Sequence, residues 1–144
     1  MPRADAERLA AWEAMRLAVA RVETTLARRL DQERDEDLSE FQTLATLVQL
    51  NRSIRMHELA EIMAIGRPTA TRICDRLERD GLVERIKSPQ DGRAVHVSLT
   101  KAGRAEYRRC LASYERAVHD AFGKHLDELE VNALLRTLEN LPES

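Results

Sequence analysis

Four side chains near the middle of the 144-residue sequence are able to donate hydrogen bonds to an anionic polymer. They are two arginines and two threonines at the start of one predicted helix: Arg67, Thr69, Thr71 and Arg72. A guanidinium group can bond a guanine edge bidentately, and a threonine can bond a phosphate or contact a thymine methyl group. Backbone N–H groups at a helix start also favour a phosphate. These residues are therefore candidate contacts to bases or phosphates of nucleic acid.

The outer face of the same predicted helix carries further charges. A rotation of 100° per residue places Asp75 and Arg76 about one turn beyond Arg72. Arg76 is therefore another candidate contact, and Asp75 is expected to orient the Arg72 guanidinium. The alternative interpretation is a solvated amphipathic helix with ordinary ion pairs between residues three or four positions apart.

A hairpin is predicted directly after this helix. Apolar and polar residues alternate over residues 82–87 and again over residues 94–99, which is the periodicity of strands. Between them, Pro89 and the pair Asp91-Gly92 supply residues that favour turns.

Basic side chains on this hairpin complete the set of candidates. Arg85 and Lys87 share one face of the first strand and are predicted phosphate contacts. Arg93 is predicted at the tip, where an arginine can enter a minor groove and its concentrated negative potential. Asp91 is expected to direct Arg93. A basic hairpin is a weak signal alone, but beside a helix pair it indicates a winged helix-turn-helix.

The helix that carries the first candidates is defined at both ends. Pro68 suits the first helical position, and Gly81 suits the left-handed residue that follows a helix end. Leu82 can then pack back on Leu77. The inner face is predicted to be an apolar stripe of Ala70, Ile73, Cys74 and Leu77.

Other helices are predicted on both sides of this unit. A long first helix follows from apolar residues at three- and four-residue steps from Leu9 to Leu30, and the acidic run 31–40 is expected to be a solvent-exposed connection. Ser39 with Gln42 predicts a capping box for a second helix that ends near Leu50. Further signals are a short helix over 56–64, an N-cap at Thr100, a capping box of Asp127 with Glu130, and burial of Leu134, Leu135, Leu138 and Leu141.

The net charge of −2 conceals an uneven distribution. Residues 67–109 carry 11 basic and 6 acidic side chains, whereas residues 1–51 carry 7 and 10, and residues 110–144 carry 3 and 7. The basic excess coincides with the predicted helix and hairpin, which confines attraction for phosphates to one region.

Composition excludes several classes of protein. Charged residues form 33% of the sequence and aromatic residues 3%, a bias towards exposed helices. No run of 18 apolar residues occurs, so we expect no membrane partner and a cytoplasmic protein whose Cys74 and Cys110 are reduced. The histidines lack ligand spacing and no catalytic set occurs, so we expect no metal, no cofactor and no enzyme activity.

The motifs resemble those of the MarR family of bacterial transcriptional regulators. The similarity runs from Leu59-Ala60 through residues 71–83 to residues 91–103, which read Asp-Gly-Arg-Ala-Val-His-Val-Ser-Leu-Thr-Lys-Ala-Gly. The last stretch is similar to the family signature of Asp-x-Arg, an alternating strand and Leu-Thr-x-x-Gly. The sequence departs from many members where Arg67-Pro68 opens the recognition helix, so their operator sequence does not carry over.

The resemblance implies a mainly α-helical fold with a small two- or three-stranded β-wing, a winged helix-turn-helix in an intertwined helical homodimer. It implies dimerisation helices over residues 1–37 and 105–144 and a DNA-binding domain over 38–104 that binds a pseudo-palindromic operator in double-stranded DNA. It also implies control by a small-molecule effector or, in some branches, by cysteine oxidation. Trp12 and Phe41 are our predicted lining of an effector site.

Two physical hypotheses follow for the function. The first is a dimeric, ligand-responsive regulator, most simply a repressor, because the apolar faces of the first, fifth and sixth predicted helices exceed what one small module covers. The alternative is a winged-helix module that docks a partner protein and binds DNA weakly. Salt dependence separates the two, because contacts to phosphates weaken steeply as salt rises.

Overall fold

The computed structural model describes residues 1–88, 90, 92 and 94–143. The chain divides into two compact units, Met1–Arg29 with Tyr114–Ser144, and Leu30–Ser113. Within the described residues there are six α-helices, one 3-10 helix and three strands. They are α1 (Arg3–Arg34), α2 (Leu38–Leu50), β1 (Ile54–Arg55), α3 (Met56–Ile62), α4 (Arg67–Arg79), β2 (Val83–Lys87), β3 (Val95–Leu99), α5 (Lys101–Ala121), the 3-10 turn Gly123–His125, and α6 (Glu128–Glu139). The predicted mainly α-helical class with a small β-wing is confirmed.

The unit Leu30–Ser113 holds a three-stranded antiparallel sheet whose order is β1-β3-β2. Its register pairs Ile54 with Val97 and Arg85 with Val97 on the other side, so β3 is the central strand. Helices α2, α3 and α4 pack with this sheet around a buried apolar core. That core consists of Leu44, Leu47, Ile54, Leu59, Ile73, Cys74, Leu77, Val83 and Val97.

Helix α4 has both ends that the sequence indicates, with one shift at its start. Gly66 is the N-cap, so Pro68 occupies the second helical position and not the predicted first. Gly81 has a φ of 76°, and its N–H bonds the carbonyl of Glu78 while the N–H of Leu82 bonds that of Leu77 at 2.9 Å. These two bonds form a Schellman motif. All four residues of the predicted apolar stripe are buried.

Helix α2 starts differently from the prediction. Its N-cap is Asp37, whose side chain accepts a hydrogen bond from the Glu40 backbone N–H at 3.0 Å. Ser39 lies inside the helix, so the predicted capping box of Ser39 with Gln42 is wrong. Asp37 lies two residues before Ser39, and its carboxylate accepts from the third N–H of the helix and so provides the cap.

A single threonine joins the end of α4 to the start of α5. The Thr100 hydroxyl donates to the Gly81 carbonyl at 2.7 Å and accepts from the Gly103 N–H at 3.0 Å. Thr100 is therefore the N-terminal cap of α5 as predicted, and it also fixes the turn that terminates α4.

The unit formed by Met1–Arg29 and Tyr114–Ser144 leaves apolar side chains in contact with solvent. In α6 the predicted burial is wrong for the single chain, because Leu135 is 53% exposed and Leu138 42%. The predicted capping box of Asp127 and Glu130 is present at its start. In α1, Leu26 is buried, but Leu9, Trp12 and Val19 are exposed.

No helix within the described residues combines the length and apolar character needed to cross a membrane.

Candidate nucleic-acid interface

The exposed face of α4 brings together the candidates at its start. Arg67, Thr71 and Arg72 are exposed and Thr69 is half-buried. The Arg72 guanidinium reaches the Thr69 hydroxyl at 3.4 Å, a long contact that a ligand could displace. Because these side chains occupy the first turns of the helix, they lie where its N–H groups also favour an anion.

The prediction that Asp75 orients Arg72 is wrong. Asp75 instead binds Arg85 on the neighbouring strand. The Arg85 guanidinium donates to Asp75 Oδ1 at 2.6 Å, and its other terminal nitrogen lies 3.6 Å from Glu78 Oε1. The hydrogen bond that Arg85 donates to Asp75 raises the pKa of Arg85. The pairing therefore fixes β2 against α4, and a phosphate that bound Arg85 would compete with two carboxylates.

Arg76 is also engaged within the chain. Its Nε lies 3.3 Å from Oε1 of Glu40 on α2, a carboxylate whose pKa is raised chiefly by burial. The Arg76 side chain retains 44% of its surface exposed. The predicted contact can therefore reach an external anion only by sharing its guanidinium with α2.

The wing extends the basic surface beyond the sheet. Lys87 is exposed at the end of β2, where it pairs with Val95, and the N–H of Ser88 bonds the carbonyl of Ala94 at 2.8 Å. The predicted tip contacts Asp91 and Arg93, and the turn residue Pro89, lie outside the described residues.

A surface pocket of about 390 Å³ adds two side chains that sequence reasoning missed. Arg55 and His57 line it together with Arg67 and Thr71. Arg55 reaches this place because β1 pairs with β3, in the register Arg55 to His96. A two-residue strand has no readable periodicity, so the sequence carries little signal for Arg55.

The two residues predicted to line an effector site have different surroundings. The Phe41 ring is 1% exposed and stacks on Tyr107, with 5.7 Å between ring centroids. Trp12 lies in the other unit and is 52% exposed. Phe41 therefore acts first as a core residue, and the effector-lining role of both residues stays a prediction.

Both cysteines are free, fully buried thiols. Burial is the main cause that raises the pKa of Cys74 to about 11 and that of Cys110 to about 12. Because the thiolate is the reactive form, both residues are poorly suited to sense oxidants.

We expect the native protein to resist thiol alkylation at pH 8 because both thiols are buried and protonated. Mass spectrometry after brief iodoacetamide treatment should find unmodified protein, whereas the denatured chain should gain two adducts. Rapid labelling of either cysteine in the native protein would contradict this expectation.

One residue of the predicted exposed acidic connection is buried. Glu36 is 7% exposed, so the expectation of a fully solvated connection over residues 31–40 is wrong at this position. Glu36 belongs to a cluster with Glu106 and Cys110. One carboxylate oxygen of each glutamate and the cysteine sulfur all lie within 4.8 Å of one another. No sequence pattern indicates this cluster, because 70 positions separate the two carboxylates.

Comparison with known proteins agrees with this geometry. The family model described as MarR family matches residues 37–95. The homoprotocatechuate degradative operon repressor of Escherichia coli is 46% identical over 65 residues, which are 45% of this chain and 44% of the repressor. The chain thus spans less than half of that relative's length.

The full fold is also similar to solved structures. A MarR family transcriptional regulator from Streptomyces coelicolor, Sco3205, was crystallised with DNA and superposes with a TM-score of 0.82 and 27% identity over 93% of this chain and 84% of that one. The chain is thus similar to MarR family regulators, in sequence over residues 37–95 and in fold over most of its length. A variant of MarR from E. coli in complex with operator DNA matches with a TM-score of 0.81 and 26% identity, over 94% of this chain and 96% of that one.

Helix α4 and the hairpin β2-β3 lie within the part of the chain that is similar to MarR family regulators. The family model ends at residue 95, so it covers α2, α3, α4 and the first wing strand. The structural similarity extends further and includes most of the long helices.

Proposed function

We propose that this chain is a sequence-specific DNA-binding transcriptional regulator, most simply a repressor, that binds a pseudo-palindromic operator as a homodimer. The observation that carries the proposal is the exposed cationic start of α4, set beside the wing in a fold whose counterparts were solved with DNA. The named repressor activity of the E. coli relative supports the direction of regulation.

The proposed contacts have different roles. Arg67, Thr69, Thr71 and Arg72 reach base edges and phosphates in the major groove, because recognition helices bind chiefly through their first turns. Lys87 and the wing residues Asp91 and Arg93 serve the neighbouring backbone or minor groove. Arg76 and Arg85 contribute positive potential while they remain paired with Glu40 and Asp75.

The exposed apolar side chains of α1 and α6 support the homodimer. Large apolar side chains left exposed in this number are typical of an interface. A two-fold axis through such an interface would present two α4 helices to half-sites about 10 base pairs apart.

We propose further that a small-molecule effector shifts the dimer between states with different operator affinity. The protein would act in the cytoplasm, where bacterial DNA lies, and would need no metal, cofactor or catalytic activity for that role.

Binding to duplex DNA should fall steeply with salt. Each phosphate neutralised by an arginine or lysine makes the slope of log K against log salt concentration more negative by about 0.9. Fluorescence anisotropy between low and physiological salt, with footprinting on genomic fragments, measures both strength and site. A flat salt response with a stoichiometric protein partner would favour the protein-docking alternative instead.

Replacement of Arg72 by alanine should relax base preference at a cost of about 1–3 kcal/mol for the preferred operator. The matched control is Arg79→Ala, which removes the same charge from the last turn of α4. Binding to selected and to scrambled duplexes should weaken equally in that control. Equal losses of base preference in both variants would remove the base-reading role of Arg72.

A further inference from the structure

The junction between α1 and α2 contains a buried carboxyl group that DNA binding does not use. After α1 ends at Arg34, Asp35 adopts a φ of 51° and the chain turns, which places Glu36 against α5. The Asp37 N–H donates to Glu36 Oε1 at 3.2 Å. The Cys110 sulfur lies 3.8 Å from Glu36 Oε2 and 3.4 Å from Glu106 Oε1.

One carboxylate oxygen of Glu36 and one of Glu106 lie within 4.8 Å of each other and of Cys110 Sγ. Two carboxylates accept hydrogen bonds but cannot donate one, so a direct bond between them requires a proton on one member. The burial of Glu36 makes a second negative charge at this contact costly, because its carboxylate has little access to water.

A single arginine determines which carboxyl group is charged. The Arg109 guanidinium donates to both oxygens of Glu106, at 3.0 and 2.5 Å, and also to the Arg34 carbonyl at 2.9 Å. This bidentate pairing is the main cause that lowers the pKa of Glu106 to about 2. Glu106 is therefore the ionised member of the pair, and Arg109 compensates its negative charge.

The charges that act on Glu36 come from both neighbouring helices. Glu106 on α5 and Glu40 on α2 both disfavour its ionisation, whereas the Asp37 backbone N–H favours it. The two nearby arginines pair with the other carboxylates, Arg109 with Glu106 and Arg76 with Glu40. Desolvation is the largest contribution, and together these effects raise the pKa of Glu36 to about 8.

We propose that Glu36 and Glu106 form a buried proton-binding site, in which one proton between the two carboxyl groups fastens the end of α1 to α5 and makes the stability of this unit depend on pH. The Cys110 thiol completes the site as a neutral hydrogen-bond donor. The inference is independent of DNA binding, because the property concerned is the unfolding of the protein alone.

The direction of the pH dependence follows from proton binding. The unfolded chain releases the Glu36 proton near pH 4.5, whereas the folded chain keeps it to about pH 8. Between these values the folded state binds the extra proton, so stability falls as pH rises and levels off above pH 8. Glu106 has the opposite shift, and its contribution is lost only as pH falls from about 4.5 towards 2.

Glu36→Gln tests the proposal because a glutamine amide has the shape of the protonated carboxyl group and can donate the same hydrogen bond. Between pH 5 and 8 the unfolding constant of the wild type, divided by that of the variant, should rise up to about tenfold per pH unit. Contributions from groups that the substitution leaves unchanged cancel in this ratio. The control Glu61→Gln, at an exposed position of α3, should give a ratio that does not change with pH.

Two further measurements keep the test decisive if the variant folds poorly. The infrared spectrum of the wild type in D2O at neutral pH should contain the carbonyl band of a protonated carboxyl group, and Glu36→Gln should lack it. Glu106→Gln should move the midpoint of the pH dependence to lower pH, because the repelling carboxylate is removed.

Three results would overturn the proposal. The first is a pH-independent ratio for Glu36→Gln, and the second is a neutral-pH spectrum without the protonated band. The third is stabilisation by added Zn²⁺ of the wild type but not of Glu36→Gln, which would assign the carboxylates and the Cys110 thiol to a metal ion instead of a proton.

Discussion

Gly103→Ala is expected to destabilise the unit Leu30–Ser113 by about 3 kcal/mol, because a methyl group has no room at this position. An added Cβ would lie 2.0 Å from the Leu82 carbonyl oxygen and 2.7 Å from Leu99 Cδ1. The Leu99 side chain can rotate away, but the Leu82 oxygen belongs to the backbone. Either α5 or the turn after α4 must therefore move.

That turn is held from several directions, which is why the strain cannot be relieved locally. The Leu82 carbonyl accepts from the Thr100 N–H at 3.2 Å, and the Leu82 N–H donates to the Leu77 carbonyl. The Thr100 hydroxyl bonds both the Gly81 carbonyl and the Gly103 N–H. Displacement of Leu82 would break the Schellman motif and the cap of α5 together.

Urea denaturation followed by circular dichroism measures the change, with the midpoint as the readout and an unchanged m-value as the test of two-state unfolding. Gly92→Ala is the matched control, because a Cβ there meets nothing within 4 Å and the cost should stay within about 0.5 kcal/mol. Equal midpoints for the two variants would show that α5 does not approach the turn as closely as these contacts require.

The sequence predicted this region well because its signals are local. The Gly81 turn, the Thr100 cap and the capping box of Asp127 each depend on residues within a few positions, and the structure contains all three. The shift of the α2 cap from Ser39 to Asp37 has the same origin. Two polar residues two positions apart were both suited to cap the helix, and periodicity does not resolve boundaries to a single residue.

Long-range pairs could not be predicted in the same way. Asp75 is one turn from Arg72 in sequence, but the strand that follows α4 returns Arg85 to within 2.6 Å of it. Glu36 looked like one more charge in an acidic connection, yet the fold buries it against Glu106 and Cys110. Both errors concern charged side chains whose partners depend on tertiary structure.

Replacement of Leu135 and Leu138 by glutamate should convert the proposed dimer into a monomer and lower operator affinity about 100-fold or more. Both leucines are exposed in the single chain, on a helix with apolar residues at three- and four-residue steps. Burial of a charge at such a position is costly without a partner, so the dimer interface should not form. Each remaining monomer binds one half-site and loses the effective concentration of its neighbour.

Sedimentation at micromolar concentration and anisotropy with an operator-length duplex measure these two effects separately. Arg136→Glu changes the net charge by the same two units on the opposite side of α6 and should leave mass and affinity unchanged. Circular dichroism should find both variants folded, since the substituted positions are exposed in the single chain. If the leucine variant stays dimeric, α6 does not form the interface; if it becomes monomeric with full affinity, the two DNA-binding units act independently. A monomer with full affinity would show that operator binding does not depend on the two-fold arrangement. A dimer gains affinity from a paired site only when it binds both half-sites at once.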